Sequence, residues 1–123
     1  MGAWTSDSKS HVSHMNEGDF YGTEKSVCIK DAGSFTIEFT DANGTTKTLN
    51  DNSPLKAGEI IDSSVMNMNK LRSFITTQVE DAKAKGVLFS VHLKATMMKI
   101  SDPILFSAFV EVYFKDVFAK YAD

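Results

Sequence analysis

The stretch from Ile104 to Phe118 is the strongest constraint on this chain. Ile104, Leu105, Phe106, Phe109, Val110, Val112, Tyr113, Phe114, Val117 and Phe118 crowd into it, a length of about four helical turns. Ser101-Asp102-Pro103 precedes it as a helix start, with Asp102 as the cap and Pro103 at the first helical position. The pattern predicts a helix over 102–121. Its apolar side chains spread beyond one stripe: Phe106, Phe109, Tyr113 and Val117 share one, while Leu105, Val112 and Phe114 fall off it. A helix apolar nearly all round is buried on several sides. One sheet covers only one side, and a large exposed apolar strip is rare on a monomer. The expectation is therefore a homodimer with a two-fold, self-complementary interface through this helix or the strands beside it.

The rest of the chain supplies the elements for that helix to pack on. Residues 1–25 are polar with scattered apolar positions. They read as an extended segment with a short strand at Ser10–Met15 and a turn at Asn16-Glu17-Gly18-Asp19. From Ser26 the period is two. Val27 and Ile29 alternate with Cys28 and Lys30, then Phe35, Ile37 and Phe39 alternate with Thr36, Glu38 and Thr40, which places the apolar set toward a core. Asp41-Ala42-Asn43-Gly44 is a hairpin signal, Thr45–Leu49 the returning strand, Asp51-Asn52-Ser53-Pro54 a break, and Glu59-Ile60-Ile61 a further short strand.

At residue 63 the period becomes helical. Met68, Leu71, Ile75, Val79 and Ala82 recur at three and four, with Ser63 or Ser64 as N-cap, Asp81 and Lys85 as an i,i+4 pair, and Gly86 as the stop. The segment Gly86–Met98 is short and apolar on both sides of Ser90 and lies between two helices. It reads as an interior strand, with Val87, Phe89, Val91 and Leu93 on one face and His92, Lys94 and Thr96 on the other. The expected fold is α+β: a mixed, mainly antiparallel sheet of about five strands with two packed helices, near 64–84 and 102–121.

Composition excludes several function classes. Thirteen basic against sixteen acidic side chains leave a net charge of −3, which offers no surplus to hold a nucleic-acid backbone. Cys28 is the single cysteine, so neither an internal disulfide framework nor a CxxC zinc site is available, and a reducing compartment fits. No apolar run approaches a membrane span. With the polar run Ser6–Ser10 near the start, no secretory leader is visible, and the expected location is cytoplasmic.

Few residues stand out chemically. His11 and His14, in HVSH, would point to opposite faces of an extended segment and read as surface histidines rather than metal ligands. Cys28 has no basic neighbour in sequence to activate it and reads as a small buried hydrophobe. Met15, Met66, Met68, Met97 and Met98 read as core filler. Lys94 is different. A lysine on an interior strand is costly unless paired or facing a cleft. With His92, Thr96 and the following Ser101-Asp102 helix start it forms a candidate anion-facing cluster.

The run GVLFSVHLKATMMKISDPI, with HVSHM, GDFYG, AGEIIDSSVM and EDAKAKGV upstream and FKDVFAK downstream, resembles monomeric NADP-dependent isocitrate dehydrogenase. The resemblance covers the chain from about Gly2 to Lys120. It implies a segment of the family's large second domain, residues 1–123 forming one module of it. It further implies the oxidative decarboxylation of isocitrate to 2-oxoglutarate, with NADP accepting hydride and Mg or Mn polarising the keto oxygen. The family's lysine in the HLKAT strand corresponds to Lys94, as catalytic and substrate-binding residue, with Thr96 as a further substrate contact. The partner tyrosine, the metal ligands and the NADP contacts fall outside this chain, which is then expected to be inactive alone and to bind neither cofactor. The alternative is a stand-alone, non-enzymatic assembly module derived from that family.

Overall fold

A computed structural model describes residues 2–92 and 99–122. The elements run α1 (Phe20–Thr23), β1 (Lys25–Cys28), β2 (Gly33–Thr40), β3 (Thr46–Leu55), β4 (Ile60–Ser63), α2 (Met68–Lys85), α3 (Ser101–Tyr113) and α4 (Lys115–Lys120). The fold class is α+β, as the alternating and helical periods predict. The strands number four among the described residues rather than about five, and they form two antiparallel pairs, β1–β4 and β2–β3, rather than one sheet. Two compact units result: residues 24–64 hold all four strands, and residues 1–23 with 65–123 hold the helices.

In the strand unit the β2–β3 turn forms where the Asn-Gly pair predicts it. The Asp41 carboxylate accepts from the backbone N–H of Asn43 (2.8 Å) and of Thr45 (2.9 Å), and Gly44 takes φ 83°. The expected break at 51–54 does not occur. β3 continues to Leu55, with Ser34 opposite Pro54 and Phe35 opposite Ser53. The irregularity is absorbed by register shifts around Ile37 and by Asn52 at φ 50°, whose N–H donates to Thr36 Oγ1. A two-stranded ribbon has two open edges, so Pro54 loses no ladder partner that the fold needs. The same openness corrects the core assignment: Phe35 is half-buried, but Ile37 and Phe39 remain 45% and 55% exposed. Cys28 is exposed rather than buried.

The helical unit holds the core. Leu71, Ile75 and Ala108 are its buried centre, with Met15, Met66, Met68, Phe74, Val79, Leu105, Phe109 and Val112 packed around them. The apolar face of α2 is the one its spacing predicts, and Met15, Met66 and Met68 are the filler expected. α2 starts later than expected: Asn67, not Ser63 or Ser64, accepts from the N–H of Lys70 (3.0 Å). Gly86 ends it at φ 66°, its N–H reaching the carbonyls of Ala82 and Lys83.

The last helix differs from expectation in three respects. It breaks at Phe114 into α3 and α4. Asp102 lies in the first turn and accepts from the N–H of Lys99 (2.9 Å) without being the cap, and Pro103 is the third residue of the helix. The face laid against α2 carries Leu105, Ala108, Phe109 and Val112, whereas Phe106 and Tyr113 stay about half exposed. Leu105 and Val112 belong to the working stripe because α2 approaches from their side, a choice that spacing within one helix cannot make.

The N-terminal segment has no strand at 10–15, and the turn at 16–19 leads into the short helix α1, which the scattered apolar residues do not announce. Residues 87–92 form no strand either. The two described ladders, β1–β4 and β2–β3, do not include that segment. Its alternation persists: Val87, Phe89 and Val91 turn inward, with Phe89 against Phe109 at 6.4 Å between ring centres, while Leu88 is 91% exposed. An interior strand covered on both faces is thus not present over 87–92. The remainder of the expected strand, 93–98, lies outside the described residues.

Candidate functional site

Lys94 and Thr96 lie outside the described residues, as do Met97 and Met98. The structure does place the approach to them. Gly86 turns the chain out of α2, Val87 donates its N–H to the Ala82 carbonyl (3.1 Å), and the chain then runs to His92, which is exposed. Val87–His92 form one wall of a cavity of about 690 Å³. Ser10–Ser13, Phe74, Gln78, Asp81 and Ala82 of α2, and Phe109 of α3 complete its lining.

The cavity is apolar with polar groups at its rim. Asp81 is the centre of these. Its Oδ2 lies 2.7 Å from Lys85 Nζ, the pair read from the sequence, and 3.6 Å from His11 Nε2. Ser13 Oγ donates to Gln78 Oε1 at 2.6 Å, and Lys9 Nζ donates to the Lys85 carbonyl at 3.2 Å. The N-terminal segment is thus held along α2 by side chains rather than by a strand ladder. Its contacts with Gln78 and Asp81 were not legible in sequence, because they join residues more than sixty positions apart. Asp81 carried a signal only for its neighbour four residues on.

Of the two histidines of HVSH, His11 Nε2 lies 3.6 Å from Asp81 Oδ2 and His14 Nδ1 lies 3.1 Å from the Met15 carbonyl. Among the described residues no three or more His, Cys, Asp or Glu side chains are grouped to hold a metal ion. Three carboxylates outside the cavity lining depart from ordinary values, and one of them, Asp7, is lowered by a hydrogen bond with Thr5 and then by one with its own backbone. A hydrogen bond with Asp62, reinforced by its charge, raises Glu24. A hydrogen bond from Arg72, with another from Ser107, lowers Glu111. Among the described residues no helix is long and apolar enough to cross a membrane.

Comparison with known proteins places this architecture. The sequence model of the family described as monomeric isocitrate dehydrogenase matches residues 1–123. The isocitrate dehydrogenase [NADP] of Azotobacter vinelandii is 55% identical over 123 residues, covering 100% of this chain and 17% of that protein. Isocitrate dehydrogenase [NADP] 2 of Colwellia maris is 55% identical over 122 residues, 99% of this chain and 16% of that protein. Isocitrate dehydrogenase [NADP] 2 of Mycobacterium tuberculosis is 43% identical over 123 residues, 100% of this chain and 16% of that protein. The chain thus spans about a sixth of the length of these relatives. A family described as monomeric gives no support to the expected homodimer and points against it. The apolar surface of α3 and α4 is not evidence for self-association.

Proposed function

Because this chain belongs to the monomeric isocitrate dehydrogenase family, we propose that it is the part of an NADP-dependent isocitrate dehydrogenase that supplies the catalytic lysine, Lys94. The observation that carries this reading is the family match over residues 1–123, with the HLKAT run at 92–96 inside it. The reaction is the oxidative decarboxylation of isocitrate to 2-oxoglutarate. Lys94 binds a substrate oxygen through its ammonium and exchanges a proton with the substrate, as a positioned acid/base group does. Thr96 contributes a hydroxyl to the same substrate. A single oriented charge in a cleft is effective because it is already in place when charge develops.

The whole enzyme uses NADP as hydride acceptor and Mg or Mn as Lewis acid. The described residues offer no group of three or more His, Cys, Asp or Glu side chains suited to hold the metal. The chain forms part of the family's second domain and acts in the cytoplasm, where the exposed thiol of Cys28 suits reducing conditions. Spanning 17% of the Azotobacter relative, it is inactive alone.

In the full-length enzyme, Lys94→Met lowers kcat by about 100-fold or more and leaves NADP affinity unchanged. Turnover within about threefold of wild type, a loss under about 0.7 kcal/mol, would remove Lys94 from the catalytic role. The 123-residue chain, purified and supplied with isocitrate, NADP and Mn, produces no NADPH. Measurable NADPH formation would overturn its dependence on the rest of the enzyme.

A further inference from the structure

The turn between β2 and β3 carries a dipeptide that occurs once in the chain, Asn43 followed directly by Gly44. Joining an asparagine's side-chain carbonyl carbon to the backbone nitrogen of the next residue closes a five-membered ring. A side chain on that next residue crowds the nitrogen, and glycine has none. Every other asparagine of the chain precedes a residue with a side chain. Two of them also have Oδ1 occupied: Asn67 accepts from the N–H of Lys70 at 3.0 Å and Asn50 from Ser53 Oγ at 3.0 Å. Asn43 is exposed, and a Cβ built on Gly44 meets nothing within 4 Å. What restrains the pair is Asp41. Its backbone carbonyl accepts the Gly44 N–H at 3.1 Å, and its Oδ1 accepts from the N–H of Asn43 at 2.8 Å and of Thr45 at 2.9 Å. The nitrogen that closes the ring is thus held on a carbonyl oxygen and reaches the Asn43 side chain only when the turn opens.

We propose that Asn43 is a self-modifying site, converted to aspartate and isoaspartate at a rate that the grip of Asp41 sets. The Gly44 nitrogen attacks Asn43 Cγ. The new N–Cγ bond closes a succinimide, the Cγ–Nδ2 bond breaks, and the amide nitrogen leaves as ammonia with the proton from Gly44. Water then opens the ring. Hydrolysis of the N–Cγ bond leaves aspartate at position 43. Hydrolysis of the bond from that nitrogen to the Asn43 backbone carbonyl carbon leaves isoaspartate, with the main chain running through the side chain. Either product takes the net charge from −3 to −4, because a neutral amide becomes a carboxylate that is ionised at neutral pH. Isoaspartate also adds a methylene to the main chain, inside a turn that the Asp41 N–H closes on the Thr45 carbonyl at 3.0 Å. The modification therefore works against the turn that restrains it. The proposal does not depend on the role given to Lys94.

The test is a tryptic peptide map of the folded full-length enzyme after prolonged incubation at mildly alkaline pH, with a zero-time digest to subtract conversion during digestion. Residues 31–47 leave as one peptide in which Asn43 is the only side-chain amide, so acid in it reports this site alone. Residues 48–56, with Asn50 and Asn52, are the internal standard. In the wild-type protein the 31–47 peptide divides into aspartate and isoaspartate forms while the 48–56 peptide stays intact. Asp41→Ala speeds the conversion about tenfold, the weight of one hydrogen bond to a charged group. Gly44→Ala leaves the amide in place. An unconverted 31–47 peptide in the wild-type protein, or equal conversion of both peptides, would overturn the proposal. So would an Asp41→Ala rate no higher than wild type, or conversion of Gly44→Ala at the wild-type rate.

Discussion

Arg72 on α2 donates through Nη2 to Oε2 of Glu111 on α3 at 3.1 Å, and the second oxygen of the same carboxylate accepts from Ser107 Oγ at 3.0 Å. One side chain thus joins the two helices that enclose the core and braces its own preceding turn. Both partners are largely exposed, with 44% and 49% of their side chains accessible, so the pair orients the helices more than it stabilises them.

Glu111 makes acid stability the first readout. Its carboxyl is held below the ordinary glutamate value of 4.5 by the hydrogen bond from Arg72 and then by that from Ser107. A lowered carboxylate contributes stability that is present above its unfolded value and is lost as pH falls through the folded one. The thermal midpoint of the wild-type protein therefore drops as pH falls below 4.5 more steeply than that of Glu111→Gln. Parallel melting curves against pH in the two proteins would contradict this.

Glu24 carries the opposite sign. It precedes β1, and Ser26 two residues on pairs with Asp62 of β4, so Glu24 and Asp62 are diagonal neighbours on one face. The hydrogen bond with Asp62, then the charge repulsion, raise the Glu24 carboxyl above 4.5. A raised carboxyl contributes stability below its unfolded value and loses it as pH rises through the folded one. Glu24→Gln therefore raises the midpoint of the strand unit near neutral pH and changes it little below pH 4.5. Denaturation followed at β1 and β4 by amide resonances measures this, and a lowered midpoint at neutral pH would contradict it.

Ile75 has no exposed surface and clusters with Leu71 and Ala108 in the core. Ile75→Ala costs about 2–5 kcal/mol and Ile75→Val about 0.5–1.5 kcal/mol, measured by urea unfolding of the helical ellipticity. Equal losses in the two variants would mean that the site closes around the missing atoms.

Gly86 isolates a backbone effect. A Cβ placed there meets nothing within 4 Å, yet φ is 66°. Gly86→Ala therefore loses stability through conformation alone, by about 1 kcal/mol. A Gly86→Asn variant loses less, because asparagine tolerates the left-handed region. Urea midpoints of the three proteins give the order, and an alanine variant as stable as wild type would contradict it.

What the sequence determined here is what neighbours in the chain settle between themselves. The Asp41–Thr45 turn, the Gly86 stop, the Asp81–Lys85 pair and the Met68, Leu71, Ile75, Val79 and Ala82 face all follow from contacts no more than a few residues apart, or from a dihedral only glycine adopts readily. The inward turn of Val87, Phe89 and Val91 was legible for the same reason. Tertiary structure decided whatever needed a distant partner. Residues 87–92 alternate like a strand, yet a strand exists only where another offers its N–H and C=O groups, and no described strand does so for these residues. Leu105 and Val112 became core while Phe106 did not, because α2 lies on their side of α3. His11 met Asp81 across seventy positions of sequence. Periodicity states that a face is apolar, but only the packed chain states what covers it.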